Sequence, residues 1–224
     1  PGARAEFDAV LPRGAASPDG LLQRARAAGC GVVTTYGMTE TAGGCVYDGW
    51  PLDGIEFRLD IAGAGDDSGS IELAGPMLAT GYLDDPEQTA VAFRDGWFQT
   101  SDLGRRDGPG RLQVLGRADD VIITGGLNVA PAEVEAVLTA LPGVAAACVV
   151  GLPDPEWGQR VTAVVIPTDP GRPPEPGALR VAACRQLTGA QVPKEIVVFV
   201  ALPLRGVGKP DRGAVRTMLV ARNR

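Results

Sequence analysis

The sequence predicts an α+β protein in two parts: a strand-rich first half, then a half in which strands and helices take turns. Three observations carry this reading. Between about residues 55 and 115, short apolar runs with partial alternation are separated by Gly, Pro and Asp clusters, the pattern of strands joined by tight turns. Beyond residue 128 the period changes, and Val134, Val137, Leu138 and Leu141 fall on one helical face. The composition is that of a folded protein, with 45% hydrophobic and 21% charged residues in 224, while 31 Gly and 19 Pro imply many turns.

The elements follow in order. A short strand is expected over residues 7–11, then a Gly14-Ala15-Ala16 loop. Ser17-Pro18-Asp19 reads as a helix start and Gly29 as its stop, giving a helix over 19–28. Residues 31–36 read as a buried strand running into Gly37-Met38-Thr39-Glu40. Strands are expected at 55–61, 70–73, 97–100 and 111–115, with a loop at 63–69 and little helix after Gly37 in this half. The texture changes at Arg117–Asp119, placing domains at 1–118 and 119–224. Helices then read at 131–140 (Pro131 in its permitted first turn), 179–187 and 212–220, and strands at 144–151, 161–167 and 196–200. Residues 168–177 read as a surface connection, and no internal repeat is found.

Charge and composition exclude several kinds of function. A net charge of −6 lacks the footprint of a general nucleic-acid binder, though local basic sites for a small anion remain open. The chain has no histidine, which removes Ser-His-Asp and Cys-His hydrolases, His-based metal sites and His general bases together. Cys30, Cys45, Cys148 and Cys184 form no CxxC pair and fit a reducing, cytoplasmic setting better than a disulfide scaffold. No membrane-length apolar run or signal pattern is present, so no membrane insertion is expected. A start at Pro1 fits a processed chain or a piece of a longer one. The sequence leaves homo-oligomerisation open.

Five segments carry candidate chemistry. Thr34-Thr35-Tyr36-Gly37-Met38-Thr39-Glu40 ends a strand with backbone amides, a hydroxyl and a carboxylate: Thr39 can donate to a phosphoryl oxygen, Glu40 can reach a hard cation, and Tyr36 offers a ring to a base. The bland reading is a polar loop with a core tyrosine. The glycine-punctuated run from Gly69 to Tyr82 reads as architecture. In Trp97-Phe98-Gln99-Thr100-Ser101-Asp102-Leu103-Gly104, Asp102 can accept from both hydroxyls of a ribose or merely cap a turn. Gly116-Arg117-Ala118-Asp119-Asp120 lies at the change of texture, where a surface ion pair is the usual outcome, and Gly125-Gly126 allows either a close backbone approach or a turn. Lys209, between Gly208 and Pro210, is a long cation on a loop suited to an anionic transition state, or simply an exposed lysine.

In this order the segments resemble the AMP-forming adenylating superfamily of acyl-CoA synthetases, nonribosomal-peptide adenylation domains and luciferases, from Gly14 to Lys209. The resemblance implies the C-terminal part of a large, strand-rich AMP-binding domain, then a small α+β C-terminal domain on a hinge. It places Gly14, Ala15, Ala16 and Tyr36 beside the adenine, with Gly37 in the same nucleotide-binding segment. Thr39 is placed on the AMP phosphate, Glu40 on Mg²⁺, Asp102 on the ribose and Arg117 on the nucleotide. Asp119 matches the hinge, Gly125 and Gly126 the segment that meets the pantetheine arm of coenzyme A, and Lys209 the lysine of the adenylation step. A small carboxylic acid, ATP and coenzyme A are the implied partners.

The run from Gly43 to Gly54 and the Ile123-Thr124-Gly125-Gly126 segment look like the o-succinylbenzoate–CoA ligases of actinobacterial menaquinone biosynthesis. A general short- or medium-chain, or aryl, acid–CoA ligase is the alternative. No Ser/Thr/Gly-rich phosphate loop precedes Tyr36, so the chain reads as the C-terminal part of a ligase; a non-catalytic remnant and a carrier-loading adenylation domain are the competing readings.

Overall fold

Dipeptides able to take positive φ at both positions set the hairpins of this protein. Asp48-Gly49, Asp95-Gly96 and Gly125-Gly126 each lie between two paired strands and have φ of +46° and +84°, +51° and +80°, and +57° and +78°. These are the values that a mirror-image two-residue turn requires to match strand twist. The computed structural model describes residues 8–12, 19–61, 68–206 and 209–222. Contacts divide the chain between Asp119 and Asp120 into two compact units, with helix α1 (Asp19–Ala27) grouped with the second.

In the first unit, β1 (Thr35–Met38), β2 (Gly43–Tyr47) and β3 (Trp50–Pro51) form an antiparallel sheet in that order. A second sheet is built from β4 (Glu56–Asp60), β5 (Ser68–Ala74), β6 (Phe93–Arg94), β7 (Trp97–Arg106) and β8 (Leu112–Arg117). Strand β7 is its spine: Phe98 pairs with Leu73 of β5 and Phe93 of β6, and Gly104 with Gly69 of β5 and Val114 of β8. One apolar cluster takes Cys45 and Val46 from the first sheet and Phe57, Ile71, Leu73 and Leu112 from the second.

Two expectations shift here. The apolar run 31–36 makes only an isolated bridge between Val10 and Val32, and the strand proper starts at Thr35, where β2 supplies a partner. The expectation of little helix after Gly37 misses α2 (Pro86–Ala92), which Asp85 caps by accepting from Gln88 N at 2.9 Å and which has Pro86 in its first turn. No residue of α2 is buried, so it lacks the apolar stripe by which a helix is read from sequence.

In the second unit, β9 (Ile122–Thr124), β10 (Leu127–Val129), β11 (Val144–Asp154) and β12 (Gly158–Pro167) form an antiparallel sheet, and β13 (Glu195–Val198) joins β12 in parallel. Alternate residues of β11 face opposite layers, as the period of a strand dictates. Ala147 and Val149 pack with Val134 and Leu138 of α3 (Pro131–Ala140) and Leu179 and Ala183 of α4 (Pro176–Ala183). Cys148, Val150 and Leu152 pack with Val215 and Leu219 of α5 (Arg212–Arg222). Both faces are covered, which is why this strand reads as a continuous apolar run. Helix α4 starts earlier than expected because Glu175 accepts from Gly177 N and Ala178 N and so fixes the helix start ahead of Leu179. A short ribbon, β14 (Leu204–Arg205) with β15 (Lys209–Pro210), precedes α5.

Leu138 is fully buried, so Leu138→Ala should lower the unfolding free energy by about 2–5 kcal/mol. In urea titrations the midpoint should fall at unchanged slope, while Val181→Ala, on an exposed position of α4, should stay within about 0.5 kcal/mol. Equal shifts for the two variants would contradict this packing.

Candidate active site

Strand β1 can run close against β2 because residue 37 is glycine: a Cβ there would lie 1.9 Å from the carbonyl oxygen of Gly43. The chain then turns through a single 3-10 turn, Thr39–Thr41. Buried Thr41 holds that turn, accepting from Met38 N at 2.9 Å and donating to Gly43 O at 2.7 Å. Thr39 and Glu40 are therefore presented by a fixed turn at the end of a strand.

The hydroxyl of Tyr36 donates to Oδ2 of Asp102 at 2.8 Å across a separation of 66 positions. Asp102 is itself positioned, since its backbone N donates to Oγ1 of Thr100 at 3.0 Å and that hydroxyl donates to Ile71 O at 2.8 Å. Arg117 is the cross-strand partner of Asp102, on β8. The structure thus brings together Tyr36, Asp102 and Arg117, predicted separately as nucleotide-binding residues. Burial, followed by the negative charge of Asp102, pushes the Tyr36 phenol well above its ordinary value and keeps it a donor. Asp102 keeps its second carboxylate oxygen outside this bond, where it can accept from a further donor.

Glu40 is tied to a segment that the sequence assigned to architecture. Tyr82 Oη donates to Glu40 Oε1 at 2.9 Å, and Ala79 N donates to Glu40 O at 2.8 Å. Tyr82 is in turn braced by its own N–H on Thr89 Oγ1 at 2.8 Å and by its ring edge against Phe93. Burial and the bond to Glu40 raise its phenol above the usual range. No cluster of three or more metal-ligating side chains occurs among the described residues. A lone carboxylate whose one oxygen is already bonded fits Mg²⁺, which keeps most of its waters and takes one or two carboxylates beside substrate phosphates.

The remaining predicted residues lie at the domain boundary or in the second unit. Asp119 is 84% exposed and faces Arg117 Nη2 at 3.9 Å. Gly125 and Gly126 form the β9–β10 turn, where a Cβ on Gly125 would come within 2.8 Å of the Trp157 ring. Lys209 is exposed on β15, paired with Arg205. Among the described residues no hydrogen bond or strand pairing joins Lys209 to the Gly125-Gly126 turn. Gly14, Ala15 and Ala16 lie outside the described residues.

Sequence reasoning passed over three side chains. Tyr82 carried a signal in its place after Gly81, but its partner is far along the chain. Trp157, half exposed, sits against Gly125 and has Lys194 Nζ 4.5 Å from its ring centroid. Arg212 joins acidic residues 77 and 92 positions away, which no local pattern could disclose.

Both raised phenols should stay protonated above pH 10.0. A group whose folded pKa is raised contributes stability that is complete below its unfolded pKa and is lost as pH rises beyond it. The stability contributed by these two phenols should therefore be lost only above about pH 10, where the fall of the unfolding midpoint should be less steep in Tyr36→Phe. Half-ionisation of Tyr36 and Tyr82 by pH 10 in the folded protein, followed by phenolate absorbance, would overturn this assignment.

Comparison with known proteins gives a consistent neighbourhood. Residues 133–209 match the AMP-binding enzyme C-terminal domain. A probable 2-succinylbenzoate–CoA ligase of Mycobacterium tuberculosis is 46% identical over 215 residues, covering 95% of this chain and 54% of that protein. The 2-succinylbenzoate–CoA ligase of Geobacillus kaustophilus is 37% identical, with 95% of this chain and 46% of that protein covered. Among solved structures, the o-succinylbenzoate CoA synthetase of Bacillus subtilis in complex with its acyl-adenylate intermediate superposes with a TM-score of 0.84 at 32% identity, covering 94% of this chain and 46% of that one. The chain spans about half the length of the curated relatives it matches. Over nearly its whole length the chain is similar, in sequence and in fold, to the C-terminal portion of these acid–CoA ligases.

Proposed function

We propose that this chain is the nucleotide-holding and mobile C-terminal portion of an AMP-forming acid–CoA ligase acting on o-succinylbenzoate. The observation that supports the nucleotide site is the Tyr36–Asp102 hydrogen bond with Arg117 opposite Asp102, since it links an aromatic ring on one sheet to an ordered carboxylate on the other, with a cation at the cross-strand position. In this reading Tyr36 packs beside the adenine, with Gly37 and the Gly14-Ala15-Ala16 segment in the same nucleotide site. Asp102 accepts from the ribose hydroxyls and Arg117 contacts the nucleotide. The acyl substrate rests on the two 2-succinylbenzoate–CoA ligases among the relatives.

The chemistry would run in two steps. A substrate carboxylate oxygen attacks the α-phosphorus of ATP; the bond to the bridging oxygen breaks and pyrophosphate leaves with its electron pair. Negative charge grows on the phosphoryl oxygens, where Thr39 donates a hydrogen bond and Lys209 supplies a cation. Glu40, held by Tyr82, would bind Mg²⁺, whose contribution is charge neutralisation on the phosphates. In the second step the thiolate of coenzyme A attacks the acyl carbon, AMP leaves, and a thioester remains. The Gly125-Gly126 turn, with no Cβ on either residue, would let the pantetheine arm approach the backbone, and Asp119 would be the pivot between steps.

A second reading has its own support. A medium/long-chain fatty-acid–CoA ligase of M. tuberculosis is 46% identical over 154 residues, so a general acid–CoA ligase would share this half. The deciding measurement is thioester formation by the full-length protein carrying this chain, with ATP, Mg²⁺ and coenzyme A, across o-succinylbenzoate, benzoates and fatty acids. Turnover confined to o-succinylbenzoate is expected; preference for another acid would retain the chemistry and discard the substrate, and no turnover at all would overturn the ligase reading.

Lys209→Ala should slow acyl-adenylate formation by about a hundredfold or more while leaving thioester formation from preformed adenylate within a few-fold. Equal losses in the two half-reactions would remove the role given to Lys209.

A further inference from the structure

The residues around Lys209 hold a charge network that the proposed chemistry does not use. Arg212 opens α5 just beyond the lysine. Its guanidinium forms a fork on Glu135 of α3, with Nη2 on Oε2 at 3.0 Å and Nη1 on Oε1. Its Nε donates to Asp120 Oδ2 at 3.2 Å, and Nη1 also reaches Val149 O at 3.3 Å. Glu135 is committed on its other side, accepting from Val149 N at 2.7 Å. Burial works against the charge of Arg212, but the bonds to Glu135 and the fields of Glu135 and Asp120 outweigh it, so the cation is held beyond its ordinary strength. Cys148, against the same guanidinium, is pushed up to about 11 by burial and stays a neutral thiol.

Stability alone is a poor reason for such a network. Withdrawing a guanidinium and two carboxylates largely from water carries a desolvation cost, and an apolar side chain of similar volume would often serve a helix as well or better. What a planar fork with fixed acceptors supplies is direction. Here the directed object is the start of α5. Asp211 caps that start by accepting from Ala214 N at 3.0 Å, and Asp211 N donates to Pro203 O at 2.8 Å. Lys209 is thereby held by the β14–β15 ribbon on one side and by Arg212 on the other, with only Pro210 and Asp211 between. The third arm of the network ends on Asp120, immediately after the residue matched to the hinge.

We propose that Arg212 is a positioning residue for adenylation: by joining Asp120, Glu135 and the start of α5 it makes the Lys209 ribbon and the first residue past the hinge parts of one rigid body, so that movement at the hinge delivers the lysine to a set place. The proposal rests on the ligase reading and on the role of Lys209 within it. It is tested in the full-length protein with Arg212→Met, Arg212→Lys and Asp120→Asn, beside Lys209→Ala. Displacement of a catalytic group by about 1 Å costs on the order of a hundredfold, so Arg212→Met should lower the adenylation kcat by about ten- to a hundredfold with the KM for ATP within about twofold. Thioester formation from preformed adenylate should stay within about threefold, and Arg212→Lys, which keeps the charge but loses the fork, should recover little. Asp120→Asn, which leaves the Glu135 fork intact and keeps the variant folded should Arg212→Met fail to fold, should show a smaller loss of the same selectivity.

Amide exchange gives a readout independent of turnover: protection at Arg205 and Lys209 should fall in Arg212→Met while that of Val149 and Val164 is retained. Equal loss in both half-reactions, an unchanged Asp120→Asn, or undisturbed ribbon amides would overturn the proposal. If Lys209→Ala is itself unselective, the underlying reading fails instead, and the two failures are distinct.

Discussion

A half-buried phenol bonded to a carboxylate governs the first unit. Tyr36 reaches from the β1–β2–β3 sheet to Asp102 on the spine strand of the second sheet, and its burial leaves the proton on the hydroxyl, which donates it to the carboxylate. Such a bond to a charged acceptor is worth about 1.5–3 kcal/mol, more than a neutral pair, and its loss would strand a polar atom on each side. Since Thr39 and Glu40 follow directly on the same strand, whatever fixes Tyr36 also fixes where that turn emerges. The bond therefore sets the relation between a ring, a carboxylate and the turn that carries Thr39 and Glu40 without a flexible loop among them. Sites carried on strand ends are held more closely than sites on free loops.

In the second unit, rigidity comes from a sheet covered on both faces, and the Gly125-Gly126 turn sits where that sheet ends. The long antiparallel pairing of β11 with β12 runs from Val144–Pro167 to Asp154–Gly158, and its last pair touches β9 through Gly158 and Thr124. The Gly125-Gly126 turn therefore hangs from the firmest part of the fold, and Gly125 N donates to Trp157 O at 2.9 Å to close it. Lys209 has the opposite setting, an exposed cation on a two-strand ribbon anchored by polar contacts. On the proposed reading, a backbone surface for a thiol arm would gain from that stiff support, and a cation delivered by movement at the hinge would gain from a short ribbon tied to something rigid.

Legibility in the sequence followed the range of the interactions. Helix α3 matched residue for residue because Pro131 and the spacing of Val134 and Leu138 are local signals with one meaning. Strand β7 was read only to Thr100 although it continues to Arg106, because its polar stretch at Thr100, Ser101 and Asp102 is held by cross-strand partners that alternation does not report. Tyr36, Asp102 and Arg117 were each picked out, but their juxtaposition was not, for it depends on a pairing 66 positions apart and on register. Tyr82 was lost for a related reason, since a tyrosine after glycine reads as turn packing until the carboxylate it serves is seen 42 positions back. The Asp48-Gly49 and Asp95-Gly96 hairpins were legible in principle; only the shortness of β3 and β6 hid them.

Two adjacent carboxylates show how the boundary between the units can be both definite and soft. Asp119, 84% exposed, meets Arg117 only at 3.9 Å, an arrangement worth about 0–1 kcal/mol in water. Asp120, 34% exposed, is bonded through Oδ2 to a guanidinium that is itself forked onto α3. Successive residues of like charge thus look to different partners, Asp119 to the end of β8 and Asp120 to the start of α5. A rotation about the backbone between them would leave both contacts intact, since Arg117 and Asp119 lie on one side of that bond and Asp120 and Arg212 on the other. The asymmetry follows from burial rather than from charge, since the same residue type in the same local sequence is loosely held where water screens it and tightly held where the surroundings do not.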